Sequence, residues 1–189
     1  MLTGRNFAMQ AQSDQYTGIP YSRLDCQGFV EQVLKDCGVR KSDGSPYNWK
    51  GSNSMWRNAL AWKGTIKECC SQFGDIPEGA WVFIVKRDGG EIEKGYHDDE
   101  GNATHVGIYC GNRSDPVRDS TKTSKRDGVG YRTLDSFTHV GLPKMIDYLN
   151  ISDTEDEALM ALKVIRENTA NDTDYLNALV VLTNYLKGV

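Results

Sequence analysis

Cys26, in the run Leu24-Asp25-Cys26-Gln27-Gly28-Phe29-Val30, and His105, in Thr104-His105-Val106-Gly107-Ile108-Tyr109, are a thiol and an imidazole in settings that suit acyl transfer. A thiol attacks a carbonyl only as the thiolate, and free cysteine sits near pKa ~8.5. The unpaired N–H groups at a helix N-terminus favour the ionised form. Cys26 stands at such a point, directly after Asp25, a good N-cap. Gly28 would leave the first turn open to a substrate. The competing reading makes Cys26 one more buried helix-face residue, because free cysteine packs as a small apolar group.

A neutral imidazole beside the thiol takes its proton and returns it to the leaving amine. His105 opens an alternating strand, with Val106 and Ile108 on one face and His105, Gly107 and Tyr109 on the other. A sheet histidine with satisfied hydrogen bonds is the plainer alternative. His97 lies in a polar excursion, and His139, in Phe137-Thr138-His139-Val140-Gly141, is the main rival base. A third group should orient the imidazole. Asp119, in Val117-Arg118-Asp119-Ser120, follows His105 across one expected hairpin turned by residues 111–116. Taken alone it reads more readily as an exposed loop aspartate. A metal site is the other chemistry to weigh, with His97, Asp98, Asp99 and His105 as ligands of the kind zinc peptidases use. Their spacing fits no tight ligand motif, and Asp98-Asp99-Glu100-Gly101 also reads as a solvated turn, so no metal is expected.

These residues need elements to hold them. Cys26, Phe29, Val30, Val33, Leu34 and Cys37 follow the three-four spacing of a buried helix face, with Gly38 as its stop. A short helix is expected within residues 4–15, another over 52–62 and a third over 65–72. Residues 80–85 read as a buried strand, followed by strands at 104–110, 117–120 and 129–133. Short strands separated by turn signals predict one antiparallel sheet, not alternating parallel units. Beyond residue 148 the composition shifts. Residues 153–166 and 172–186 show helical periodicity and predict a C-terminal helical hairpin, so the chain divides into 1–148 and 149–189.

The chain has 189 residues, enough for one well-buried core, and its 39% hydrophobic content argues against disorder. The net charge of −4 sits in residues 151–189, leaving the rest balanced and without the basic stripe of a nucleic-acid surface. No apolar run approaches the ~20 residues that cross a bilayer. Residues 1–15 lack the apolar core of a secretory signal, so the expectation is synthesis in the cytoplasm, or a removed leader. The five cysteines are irregularly spaced and suggest neither a disulfide framework nor a Cys-x-x-Cys site.

Taken together, these pieces resemble the NlpC-type cysteine peptidases, papain-like enzymes that cut bacterial cell-wall peptides. The matching stretches are residues 18–30 around Asp25-Cys26, Ile76-Pro77-Glu78-Gly79-Ala80-Trp81-Val82-Phe83, Thr104-His105-Val106-Gly107-Ile108-Tyr109, and a closing stretch from Gly128-Val129 to Thr138-His139-Val140-Gly141. They cover roughly residues 4–148, in the family's order, and are most like versions from bacteriophage lysins and mobile elements. The resemblance implies an α+β, papain-like core whose nucleophile helix packs on an antiparallel sheet. It implies Cys26 as nucleophile, His105 as base, Asp119 at the third polar position and Tyr21 lining the oxyanion site beside the Cys26 N–H. The implied reaction is hydrolysis of an amide bond in the peptidoglycan stem peptide, typically between D-glutamate and the diamino acid, through a thioester and with no cofactor. Action on the wall would follow lysis or release. Two departures stand out. Gln27 replaces the family's usual serine, and the third position is often histidine where this chain offers Arg118-Asp119. An amidase or cross-bridge peptidase would use the same nucleophile. A catalytically weak wall-binding or structural module of a phage or mobile element is the reading outside enzymes.

Overall fold

A computed structural model of the chain describes residues 2–87, 96, 98–111 and 113–148. They belong to one unit that ends at Tyr148. The helical hairpin expected in residues 149–189 lies outside the described residues, as does His97. The described fold is mixed α+β. Helices α1 (Gly4–Ala11), α2 (Cys26–Asp36) and α3 (Gly51–Asn58) precede strand β1 (Leu60–Thr65) and helix α4 (Ile66–Phe73). Strands β2 (Trp81–Lys86), β3 (Asn102–Tyr109), β4 (Val117–Lys122), β5 (Asp127–Arg132) and β6 (His139–Pro143) follow. The six strands form a single sheet in the order β1-β6-β2-β3-β4-β5, and every pairing is antiparallel.

The apolar run at residues 80–85 is continuous because both faces of β2 are covered. Trp81, Phe83 and Val85 meet α1, α2 and α3 through Phe7, Phe29, Val30, Met55 and Trp56. Val82 faces the opposite side with Cys69 of α4, Tyr109, Val117, Phe137 and Val140. Two cores thus sandwich the sheet.

Helix α2 carries out what its spacing dictates. Phe29, Val30, Val33 and Leu34 are fully buried, each contributing roughly 1.5–3 kcal/mol of burial. Asp25 caps it by accepting the Gly28 N–H at 2.6 Å. At the other end Gly38 takes φ +76°, and the Val39 N–H reaches back to the Leu34 carbonyl at 3.0 Å.

The helix expected over 52–62 is shorter than its periodicity suggests. It ends at Asn58, and Leu60 begins β1, which pairs with β6 from Leu60↔Pro143 to Thr65↔His139. Met55, Trp56 and Ala59 keep helical spacing into the first core, but the backbone beyond them is taken by a strand 74 to 83 residues away in sequence. A partner that remote leaves no local mark. The same strand ends on Thr65, whose hydroxyl and Glu68 form a reciprocal capping box for α4.

Candidate active site

Cys26 is the first residue of α2 and is 7% exposed. The helix packs on β3 and β4. Its entry is fixed by Ser120 of β4, whose hydroxyl donates to the Leu24 carbonyl. The preceding loop is pinned to β5. The Tyr21 N–H donates to Asp127 Oδ1 at 2.9 Å, and the Val129 N–H to the Ile19 carbonyl at 3.3 Å. Gly128, at φ +110°, permits that approach, since a side chain there would collide with the Ile19 carbonyl. The space at Gly28 serves the Asp25 cap, whose Oδ1 lies 3.1 Å from where a Cβ would stand.

His105 is placed by the β3–β4 hairpin. The two strands pair at Ile108↔Arg118 and Tyr109↔Val117, and the turn closes with the Cys110 N–H on the Pro116 carbonyl at 2.7 Å. Asp119 is the next residue along β4. It can lie over β3 because Gly107 has no side chain; a Cβ there would stand 3.2 Å from the Asp119 Cβ. From that position its Oδ2 accepts the His105 Nε2–H at 2.7 Å. With Nε2 so engaged, Nδ1 is the ring nitrogen available to the thiol. The Cys26 thiol is the neighbour that, after burial, raises the Tyr21 phenol, and together with Asp119 it raises this imidazole. The phenol of Tyr21 is raised to about 12, first by burial and then by the neighbouring Cys26. Cys26, His105, Asp119 and Tyr21 are therefore brought together from three stretches of the chain.

The charges in this cluster balance. Burial pushes His105 down, but Asp119 and Cys26 outweigh it and raise the imidazole from 6.5 to about 9. Burial pushes Asp119 up, yet its bond to His105 and the charges of His105 and Arg126 hold the carboxyl below its ordinary value. Asp119 is fully buried, and an ionised carboxylate there requires partners. It has three. Besides His105, Arg126 donates to Oδ1, and the Arg132 guanidinium lies 3.5 Å from Oδ2. The reading of Asp119 as an exposed loop residue is thereby overturned.

Arg118, the neighbouring candidate, points to the other face as strand alternation requires. It donates to Thr17 Oγ1 at 2.7 Å and stacks 4.4 Å from the Tyr131 ring. We expect Asp119→Ala to lower kcat/KM about 10²-fold, within the range for general acid–base support. Arg118→Ala should change it only a few-fold. A total loss from Arg118→Ala in a folded variant would show that the wrong neighbour had been chosen.

The rival base is engaged elsewhere. His139 lies in β6 opposite Thr65 and Phe83, edge-on to Trp56 at 5.3 Å, with Nδ1 2.8 Å from Thr138 Oγ1. Its protonation is governed by burial, which lowers its pKa, then by Arg87 and Glu68. Gln27 does not stand over the thiol. Its amide bonds Glu31 at 2.9 Å and the Trp49 carbonyl, and its Oε1 accepts the Gly51 N–H, tying the start of α3 to α2.

The metal reading loses one of its two carboxylates to an ion pair. Asp98 is held by both terminal nitrogens of Arg57 at 2.7 Å, and the Gly101 N–H closes the turn on it. Among the described residues, no group of three or more His, Cys, Asp or Glu is placed to hold a metal. A strong chelator should leave hydrolysis unchanged; loss restored by added zinc would bring His97 and His105 into a metal site.

Sequence reasoning missed Ser120, Arg126, Arg132 and Asp127. Arg132 pairs with Val117, two positions from the Asp119↔Gly130 pair, so its contact with Asp119 is a same-face diagonal. That neighbourhood exists only once β4 and β5 are in register. No family model matches the chain, and no curated protein or solved structure does. Among the described residues no helix is long and apolar enough to cross a membrane.

Proposed function

We propose that this chain is a peptidoglycan hydrolase with a papain-like core, cutting an amide bond of the stem peptide by cysteine catalysis. The observation that carries the reading is the line Cys26–His105–Asp119: a thiol at a helix N-terminus against an imidazole anchored by a buried carboxylate. In this reading His105 takes the thiol proton and the Cys26 sulfur attacks the scissile carbonyl carbon. The oxyanion so formed lies near the Cys26 N–H, unpaired at the first helical position, and the Tyr21 hydroxyl. The C–N bond then breaks, and the imidazolium gives its proton to the leaving amine. Water, deprotonated by His105, cleaves the thioester, and sulfur leaves as thiolate.

A cavity of about 320 Å³ lies between the start of α3 and β3, bordered by Thr104 and by Gly51, which Gln27 binds. Its other walls include Lys50, Ser52, Asn53 and Asn102, a polar lining that suits a peptide bearing carboxylates. The deciding experiment digests purified peptidoglycan fragments and identifies the products by mass spectrometry. Products cut between D-glutamate and the diamino acid support the proposal as stated. Release of the whole stem from the sugar makes the protein an amidase, and no cleavage by folded protein removes the enzymatic reading.

A further inference from the structure

Asp119 is a buried carboxylate contested by three donors. Its Oδ2 accepts from His105 Nε2 at 2.7 Å and also lies 3.5 Å from Arg132 Nη1. Its Oδ1 is taken by Arg126. The Arg126 fork is itself anchored, because Nη1 donates to the Tyr131 carbonyl at 2.8 Å. Space for it exists because residue 130 is glycine; a Cβ there would stand 2.6 Å from Arg126 Nη1. The turn that delivers it is ordered by Thr123, whose hydroxyl accepts the N–H groups of Lys125 and Arg126 at 3.2 and 3.1 Å. These features converge on one oxygen of one carboxylate.

With Oδ1 unpaired, the strongest remaining charge near the carboxylate is Arg132, and it sits on the oxygen that His105 uses. A desolvated carboxylate turns to a permanent cation in preference to a titratable one. We propose that Arg126 is a positioning residue of this site, clamping Asp119 Oδ1 against the β5 backbone so that Oδ2 stays on His105. The inference rests on the reading of Cys26 and His105 as the reacting pair.

A clamp and a mere nearby charge predict opposite shifts. The charged groups facing Asp119 are His105 from β3, Arg126 from the β4–β5 turn and Arg132 from β5; those facing His105 are Asp119 and the Cys26 thiol of α2. If Arg126 acted only as a cation, removing it would make the surroundings more negative and raise the His105 midpoint. If it is the clamp, Asp119 turns away and the midpoint falls by about one pH unit or more.

The test is titration of the His105 imidazole by NMR in the full-length wild type, Arg126→Met and Arg126→Lys, with His105→Gln to assign the signal. The expected result is a lowered midpoint in Arg126→Met and a smaller drop in Arg126→Lys, which retains the charge without the fork. A midpoint at or above the wild-type value in folded Arg126→Met overturns the proposal, as does an unmoved Arg126→Lys if the methionine variant does not fold. Because titration needs no turnover, failure of the hydrolase reading would show as an inactive wild type, and failure of the clamp as an unmoved midpoint.

Discussion

Cys26→Ala is expected to abolish hydrolysis of peptidoglycan fragments, by at least about 10⁴-fold, while the variant remains folded. The loss is that large because the nucleophile has no substitute in the site: His105 and Asp119 can move a proton but cannot form the thioester. The fold should persist because the change deletes one small buried group, worth about 0.8 kcal/mol of burial, and Phe29, Val30, Val33 and Leu34 still seat the helix. Thermal unfolding of the variant should therefore stay close to that of the wild type. A second readout is alkylation by iodoacetamide. Burial pushes the thiols of Cys69 and Cys110 up to about 12 and raises Cys37, so these stay protonated near neutral pH. Cys26, paired with a raised imidazole, should be alkylated well before all three. Full activity in Cys26→Ala would sink the mechanism.

The second large effect is carried by His105. Replacing it with alanine should lower kcat/KM by about 10⁴-fold, the upper range for a proton-transfer group. In the wild type the imidazole is raised to about 9, so the imidazolium that the proposed mechanism uses to protonate the leaving amine persists through neutral pH. Activity should fall on the alkaline side through that value. Stability follows the same linkage. The folded protein holds the His105 proton more tightly than the unfolded chain, whose histidine titrates near 6.5. The stabilisation is thus fully present below about 6.5 and is lost as pH rises toward about 9. Denaturant unfolding of wild type and His105→Gln should show their largest difference below pH ~6 and convergence above ~9. A difference independent of pH would mean that the imidazole is not held by Asp119 in solution.

Much of this arrangement was legible in residue order. Asp25, Gly38 and the three-four spacing from Cys26 to Cys37 specify α2 because caps and periodicity are local. The alternation from Val106 to Tyr109 placed His105 on the correct face for the same reason, and the turn signals at 111–116 put Asp119 one hairpin away. The end of α3 was not legible, since Met55, Trp56 and Ala59 satisfy a helical stripe whether or not β6 arrives to draw Leu60 into a strand. Gln27, read as a change beside the nucleophile, turned out to fasten α3, which depends on where residues 49–51 fold back.

The sequence by itself thus determined the helix that Cys26 opens, the strand faces and the candidates for each chemical role. The tertiary structure alone brought His105 and Asp119 together, turned His139 and Arg118 to other partners, and placed Arg126 and Arg132 around the Asp119 carboxylate. Hydrogen bonds within a helix or turn link residues a few positions apart and leave a spacing in the chain. The partners of a buried charge are selected by the register of paired strands and by what space a glycine leaves, and neither is written in any one segment.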